Sequence, residues 1–278
     1  MQPSTDAIID YYHTKESRWG YKLVLGGTKH FGYYPAGQKH VSMRQAMLNM
    51  VDKLGEALDL PKGSRVLDAG CGEGATALRL AEKFKLHVDG VDLLDFNIAA
   101  AQQRATANNL DKQASFQVGS YLTLDYPDES FDAVYTMETL VHAPDYKVAL
   151  AEFRRVLKPK GRLVLFEYSM PTQNSMGEQE RKAFQIINDG SAMYSYPLFI
   201  HGSFPKLLTN AGFKDVQVED ITEQMMPMLR RFWQMGVIPY QLIKLLGKQK
   251  QFVNATAGVE LYKYREDFRY NIVTAIKA

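Results

Sequence analysis

From Ser64 onward short apolar runs alternate with helix-length segments, and this alternation restricts the chain to one fold class. The runs fall at residues 65–67, 87–91, 115–118, 131–135 and 162–166, with helical patterning at 76–83, 96–108 and 146–157 between them. Two later runs, 216–218 and 270–276, bring the predicted strands to seven. Strands separated by single helices form βαβ units and a mostly parallel sheet, so the class is α/β. Before residue 64 the pattern is helical, with Met43, Met47, Met50, Val51 and Leu54 at helix spacing and Gly26-Gly27 and Tyr33-Tyr34-Pro35-Ala36-Gly37 reading as turns. The expected organisation is a helical cap over 1–62 that also serves as a lid, and a core over 63–278. Two helical insertions, 171–205 after the fifth strand and 222–258 after the sixth, interrupt the alternation. Insertions that follow the carboxyl ends of strands are where an open α/β sheet places its ligand-specific parts, so the acceptor pocket is expected there, and substrate selection there and in the cap. Pro227 and Pro239 are expected to break the second insertion into pieces.

The first predicted strand runs into Val66-Leu67-Asp68-Ala69-Gly70-Cys71-Gly72-Glu73-Gly74-Ala75. Glycines between a strand and a helix permit positive φ and let a ligand approach free backbone amides, which makes the class a Rossmann-like sheet with helices on both faces. Gly70, Gly72 and Ala75 also satisfy the dinucleotide fingerprint, so NAD-dependent oxidoreduction is one reading. Asp68 turns the reading elsewhere. A carboxylate two residues before the first glycine repels a pyrophosphate and favours a ligand's ammonium group. Eighteen residues past Gly74, the second strand ends in Asp92, placed to accept both hydroxyls of a ribose. Leu93 and Asn97 follow it, Ser120 and Tyr121 after the third strand fall beside the expected adenine, and Met137 either covers a ring face or fills core.

These residues resemble the class I S-adenosylmethionine-dependent methyltransferases, and more narrowly their sterol 24-C-methyltransferase and γ-tocopherol methyltransferase branch. Val66 to Gly74 is similar to the glycine-rich first motif of that family. Glu138-Thr139-Leu140-Val141-His142-Ala143-Pro144 resembles the Glu-Ala-Thr-Cys-His-Ala-Pro stretch of the sterol enzymes, and Arg155-Val156-Leu157-Lys158-Pro159-Lys160-Gly161 resembles the turn before the fifth strand. Leu25 stands where the sterol enzymes carry a tryptophan. The resemblance implies S-adenosyl-L-methionine as cofactor, S-adenosyl-L-homocysteine as product, and Asp68, Gly70, Cys71, Gly72, Asp92, Leu93, Asn97, Ser120, Tyr121 and Met137 as cofactor residues.

Methyl transfer from a sulfonium is an in-line displacement that needs positioning and exclusion of water. His142 is the candidate base, and Glu138 lies four residues before it, a spacing that shares one face of a helix. In the alternative reading Glu138 holds cofactor or backbone while His142 packs. Tyr12, Trp19, His30, Tyr33, Tyr194, Tyr196 and His201 supply an aromatic wall for a small, largely apolar acceptor, a terpenoid, alkaloid, polyketide or prenylated metabolite. Carbon methylation is expected ahead of nitrogen or oxygen. A cyclase that keeps the sulfonium only as fixed charge is the other reading of the same site.

Charge and composition remove other classes. Thirty-three basic against 31 acidic residues are scattered without a basic tract, which argues against nucleic acid. The single cysteine, Cys71, excludes an intrachain disulfide framework and fits a reducing compartment. Met1-Gln2-Pro3-Ser4-Thr5-Asp6 has no basic region leading into an apolar one, and no run approaches a spanning length, so a cytoplasmic location without stable membrane insertion is expected. No metal-ligand spacing is visible, and a homodimer or higher oligomer stays open.

Overall fold

The computed structural model describes residues 4–278 except 15, 18–24, 27 and 39. Trp19 lies outside the described residues. Helix α1 spans Thr5–His13, with Ser4 capping its first turn by accepting from the Ala7 amide. Helix α2, Met43–Leu58, buries Ala46, Met50, Val51, Leu54 and Leu58, the stripe its apolar spacing predicts.

Seven strands then form one sheet in the order β3-β2-β1-β4-β5-β7-β6. They are β1 Arg65–Ala69, β2 His87–Asp92, β3 Ala114–Val118, β4 Phe131–Met137, β5 Leu157–Ser169, β6 Phe213–Asp220 and β7 Arg269–Lys277. The first five are parallel, and β7 runs antiparallel between β5 and β6. Helices α3 Ala75–Arg79, α4 Asp95–Ala107 and α5 Tyr146–Val156 connect the parallel strands. Helix α3 widens into a π turn at Leu80–Phe84. The chain reverses strand order between β1 and β4, and the carboxyl ends there form the crevice in which such sheets bind ligands.

Helices α6 Glu178–Gly190 and α7 Phe204–Asn210 follow β5, and α8 Thr222–Leu245 and α9 Val253–Lys263 follow β6. Helix α8 runs unbroken through both Pro227 and Pro239, contrary to the break expected from sequence. A proline forfeits one amide bond and crowds the carbonyl four residues back, a local cost the rest of the helix carries because Met225, Met228, Leu229 and Tyr240 are buried. Edge strand β6 extends beyond the run 216–218 read from sequence: it pairs with β7 from Phe213 to Asp220, with a bulge at Asp215, φ 52°, and charged residues facing solvent.

Gly74 starts α3 at φ 76°, and a Cβ there would lie 2.8 Å from Ala101 Cβ and 2.9 Å from the Phe116 ring. Gly74→Ala is therefore expected to cost about 1–3 kcal/mol in urea unfolding through left-handed strain plus overpacking. A midpoint equal to wild type would show that the turn relaxes freely.

Candidate functional site: two joined cavities

At the carboxyl end of β1 the glycine turn opens onto a cavity. Gly70 and Gly72 adopt φ of 101° and 52°, and a Cβ on Gly72 would project into open space. The amides of Gly70 and Cys71 both bond the Val91 carbonyl, tying the turn to β2. Asp68 is buried below it, and its Oδ2 has no partner. Burial pushes the Asp68 carboxyl up to about 7, the Asp92 charge adding to the rise and the Tyr135 hydroxyl opposing it. An orphaned buried carboxylate oxygen beside an open glycine turn fits a cationic ammonium, which would restore the charged form.

Asp92 closes the other side. Its Oδ2 accepts from the Gly72 amide at 2.9 Å, and its Oδ1 from the Leu94 amide at 3.0 Å and Asn97 Nδ2 at 2.9 Å. Oδ1 has both lone-pair sites taken, while Oδ2 keeps one, so a ribose hydroxyl could still add to this set. Asp68, Gly70, Cys71, Gly72, Asp92, Leu93, Asn97, Tyr121 and Met137 all line this first cavity. Ser120 does not: its hydroxyl turns back to accept from the Leu122 amide, and Gly119 takes its place in the lining. Thr139 was not singled out from sequence, yet its hydroxyl bonds the Ala69 carbonyl and its own carbonyl accepts from Tyr121, fastening the β4 turn to the glycine turn.

A second cavity of about 390 Å³ lies beside the first, walled by α1, the loop at Phe31, the end of β5, and helices α6, α8 and α9. Its lining is largely apolar and aromatic, with Phe31, Tyr168, Tyr196, Phe232 and Phe268. Tyr12, Lys29, His30, Glu138 and His142 line both cavities and form the junction. Tyr33, Tyr194 and His201 line neither, a correction to the expected aromatic wall. Tyr33 is drawn to α2, where Lys53 Nζ lies 5.6 Å from its ring centroid, and His201 Nδ1 is held by Ser169 Oγ at 2.8 Å. Tyr194 sits in the turn after α6, its hydroxyl buried without a partner.

Glu138 and His142 do not share a helix face. Glu138 sits at φ 60°, and Leu140–His142 form a short 3-10 turn, so the four-residue spacing has no helical meaning here. The left-handed backbone instead turns the Glu138 carboxylate inward, where it accepts from the Phe31 amide at 2.6 Å, the Tyr270 hydroxyl at 2.8 Å and the Tyr168 hydroxyl. Tyr168 and Tyr270 are register partners in the β5–β7 pair, which is why two hydroxyls converge on one carboxylate. Burial pushes Glu138 up to about 7 against the lowering effect of these three donors.

His142 Nδ1 lies 3.3 Å from the Ala192 carbonyl and Nε2 3.2 Å from the Tyr12 hydroxyl. A carbonyl can only accept, so Nδ1 carries the proton and Nε2 is the acceptor facing Tyr12. Burial pushes the imidazole down to about 4, as it does for His30, whose Nδ1 donates to the Phe31 carbonyl at 2.7 Å. Both rings are neutral near pH 7. Lys29 Nζ reaches Asn97 Oδ1 at 3.4 Å and lies 4.6 Å from the Tyr12 ring centroid, spanning from the Asp92 side to the His142 side.

Behind the junction, Glu167 on β5 is fully buried. Its Oε1 accepts from Thr136 Oγ1, the Thr139 amide and the Leu140 amide at 2.8–3.1 Å, and Oε2 has no partner. Burial raises it to about 8 from an ordinary 4.5. Between those values the folded chain keeps a proton the unfolded chain has lost, so this group lowers stability as pH rises. The stability of wild type relative to Glu167→Gln is therefore expected to fall between about pH 4.5 and 8, with a slope approaching about 1.4 kcal/mol per pH unit in urea titrations. Parallel profiles would place the ionisation elsewhere.

The methyltransferase domain family matches residues 66–161. The S-adenosyl-L-methionine-dependent Diels-Alderase iccD of Talaromyces variabilis is 39% identical over 98% of this chain and 94% of its own. The sterol 24-C-methyltransferase erg-4 of Neurospora crassa is 31% identical over 75% of this chain and 54% of its own. The crystal structure of the [4+2]-cyclase SpnF superposes with a TM-score of 0.72 at 25% identity, covering 95% of this chain and 96% of SpnF. Among the described residues no helix is long and apolar enough to cross a membrane. With the glycine turn, its orphaned Asp68 and a sheet of this strand order, the chain belongs to the class I S-adenosylmethionine-dependent methyltransferase family, and S-adenosylmethionine is its cofactor.

Proposed function

We propose that the chain holds S-adenosylmethionine in the first cavity and an apolar polyene in the second, and promotes an intramolecular [4+2] cyclisation of that polyene without net methyl transfer. The junction carries this reading, because Tyr12, Lys29, His30, Glu138 and His142 line both cavities, so that a substrate in the second would lie against a cofactor in the first. Similarity to a Diels-Alderase along nearly the whole chain, cap and insertions included, supports it. When bound, the cofactor supplies a permanent positive charge and a transferable methyl group.

The residues of the chain do the rest. Asp68 would pair with the ammonium, and Asp92 and Asn97 would hold the ribose. The aromatic walls of the second cavity would fold a flexible polyene so that diene and dienophile meet, which converts rotational entropy into rate. Lys29 at the junction would donate to a substrate carbonyl conjugated with the dienophile, lowering the barrier by favouring charge that builds on that oxygen. Two σ bonds form as three π bonds become one, so substrate and product are isomers and no base is required.

Methyl transfer is the second reading, and the observation favouring it is His142 Nε2, an acceptor that could take a proton relayed through Tyr12. The two readings part on product mass. Incubation of the protein and its cofactor with linear polyenes is expected to give a product of unchanged mass and no label from [methyl-¹³C] cofactor. A labelled product heavier by one methylene unit would establish methyl transfer instead.

Two substitutions check the assigned roles. Asp92→Ala is expected to weaken binding of S-adenosylhomocysteine by about 1.5–3 kcal/mol, roughly 10- to 150-fold by calorimetry, through lost charge-assisted acceptors. Unchanged affinity would move the ribose elsewhere. Lys29→Met is expected to lower kcat by roughly 10²–10³-fold, the effect of removing one preorganised donor. An unaffected rate would leave Lys29 a structural part of the junction.

A further inference from the structure

Helix α8 presents an apolar stripe that no described residue of the chain covers. Met235, Ile238, Leu242 and Leu245 recur at spacings of three, four and three residues and so share one face, with Leu246 beside them. Their exposures are 53%, 81%, 59%, 82% and 57%. Isolated exposed leucines are ordinary, but a contiguous row of five large apolar side chains marks a surface that meets something apolar. The segment is also one-signed: residues 224–259 contain no Asp or Glu, while Arg230, Arg231, Lys244, Lys248 and Lys250 all lie within it. The stripe ends at Gly247 and runs directly into Lys248 and Lys250, both exposed, the latter paired at 3.0 Å with Asp189.

The same helix forms a wall of the second cavity through Leu229, Phe232, Met235, Gly236 and Pro239. Met235 is both half exposed and part of the cavity lining, so the cavity reaches the surface where the stripe begins.

We propose that this face docks on an anionic lipid surface, with the stripe seated at the headgroup boundary and the lysines against acidic headgroups, so that the second cavity opens toward the membrane. Interfacial helices combine an apolar face with Lys and Arg, and each cation near an anionic leaflet adds to binding. A second copy of the chain is the poorer occupant, because the segment carries five cations and no acid of its own, so self-pairing sets like charge against like, offset only by Asp189 at Lys250. An apolar substrate is itself concentrated in lipid, which gives a docked cavity mouth a direct source.

The test is sedimentation of the full chain with sucrose-loaded vesicles, either pure phosphatidylcholine or phosphatidylcholine with 30 mol% phosphatidylserine, alongside velocity sedimentation without lipid. Wild type is expected to pellet with the anionic vesicles at least about tenfold more than with the neutral ones, and to be released at high salt. Leu242→Glu/Leu245→Glu and Lys248→Glu/Lys250→Glu should each lose that partition while keeping the wild-type circular dichroism, since all four positions are exposed and none lines either cavity. The proposal is overturned if wild type ignores anionic vesicles or if neither variant changes its binding. A dimer in velocity sedimentation that Leu242→Glu/Leu245→Glu converts to monomer would equally overturn it, assigning the stripe to a second copy.

Discussion

Everything at the junction depends on one buried carboxylate. Glu138 leaves the end of β4 in a left-handed conformation and gathers a backbone amide from the cap loop, a hydroxyl from β5 and a hydroxyl from β7. A carboxyl group taken out of water is costly unless its lone pairs are met, and here three donors from three separate parts of the chain meet them. The arrangement therefore works as a clasp. It fixes Phe31, and through the adjacent loop His30 and Lys29, against the carboxyl ends of the central strands, where the two cavities join. Glu167 performs the matching task one strand deeper by holding the Thr139 and Leu140 amides, so that the turn carrying His142 is set from beneath.

The lining of the first cavity was largely legible in the sequence, because its features are local. A glycine turn after a strand, a carboxylate two residues before it and a second carboxylate at the next strand end are short-range features, and all of them line one cavity. Ser120 stays outside the cavity, since nothing in the sequence shows that its hydroxyl caps its own turn and leaves Gly119 in the lining. The mostly parallel α/β sheet followed from the alternation of strands and helices, whereas its strand order is seen only in the structure. The bulged edge strand β6, whose apolar signal is two valines, was read too short for the same reason that it is an edge.

The junction and the second cavity were legible only in outline, because their contacts are long-range. The spacing of Glu138 and His142 suggested a shared helix face, but a non-glycine residue at positive φ leaves no mark in sequence. Tyr168 and Tyr270 reach the same carboxylate only through the antiparallel pairing of β5 with β7, which joins residues 102 positions apart. Lys29 lies in a loop without periodicity, so its place between Asn97 and Tyr12 could not be inferred. Tyr33 and Tyr194 had aromatic neighbours in sequence, as Tyr12 and Tyr196 did, and only packing separates those that face the cavity from those that do not.

The account treats the cofactor as a fixed cation beside an apolar cavity, and that is open to a single decisive comparison. Cyclisation of a linear polyene would be followed with S-adenosylmethionine, with sinefungin, which carries a positive amine in place of the sulfonium and no transferable methyl, and with S-adenosylhomocysteine, whose thioether sulfur is neutral. The account predicts turnover with the first two and loss of turnover with the third. Turnover with S-adenosylmethionine alone, accompanied by formation of S-adenosylhomocysteine, would contradict it.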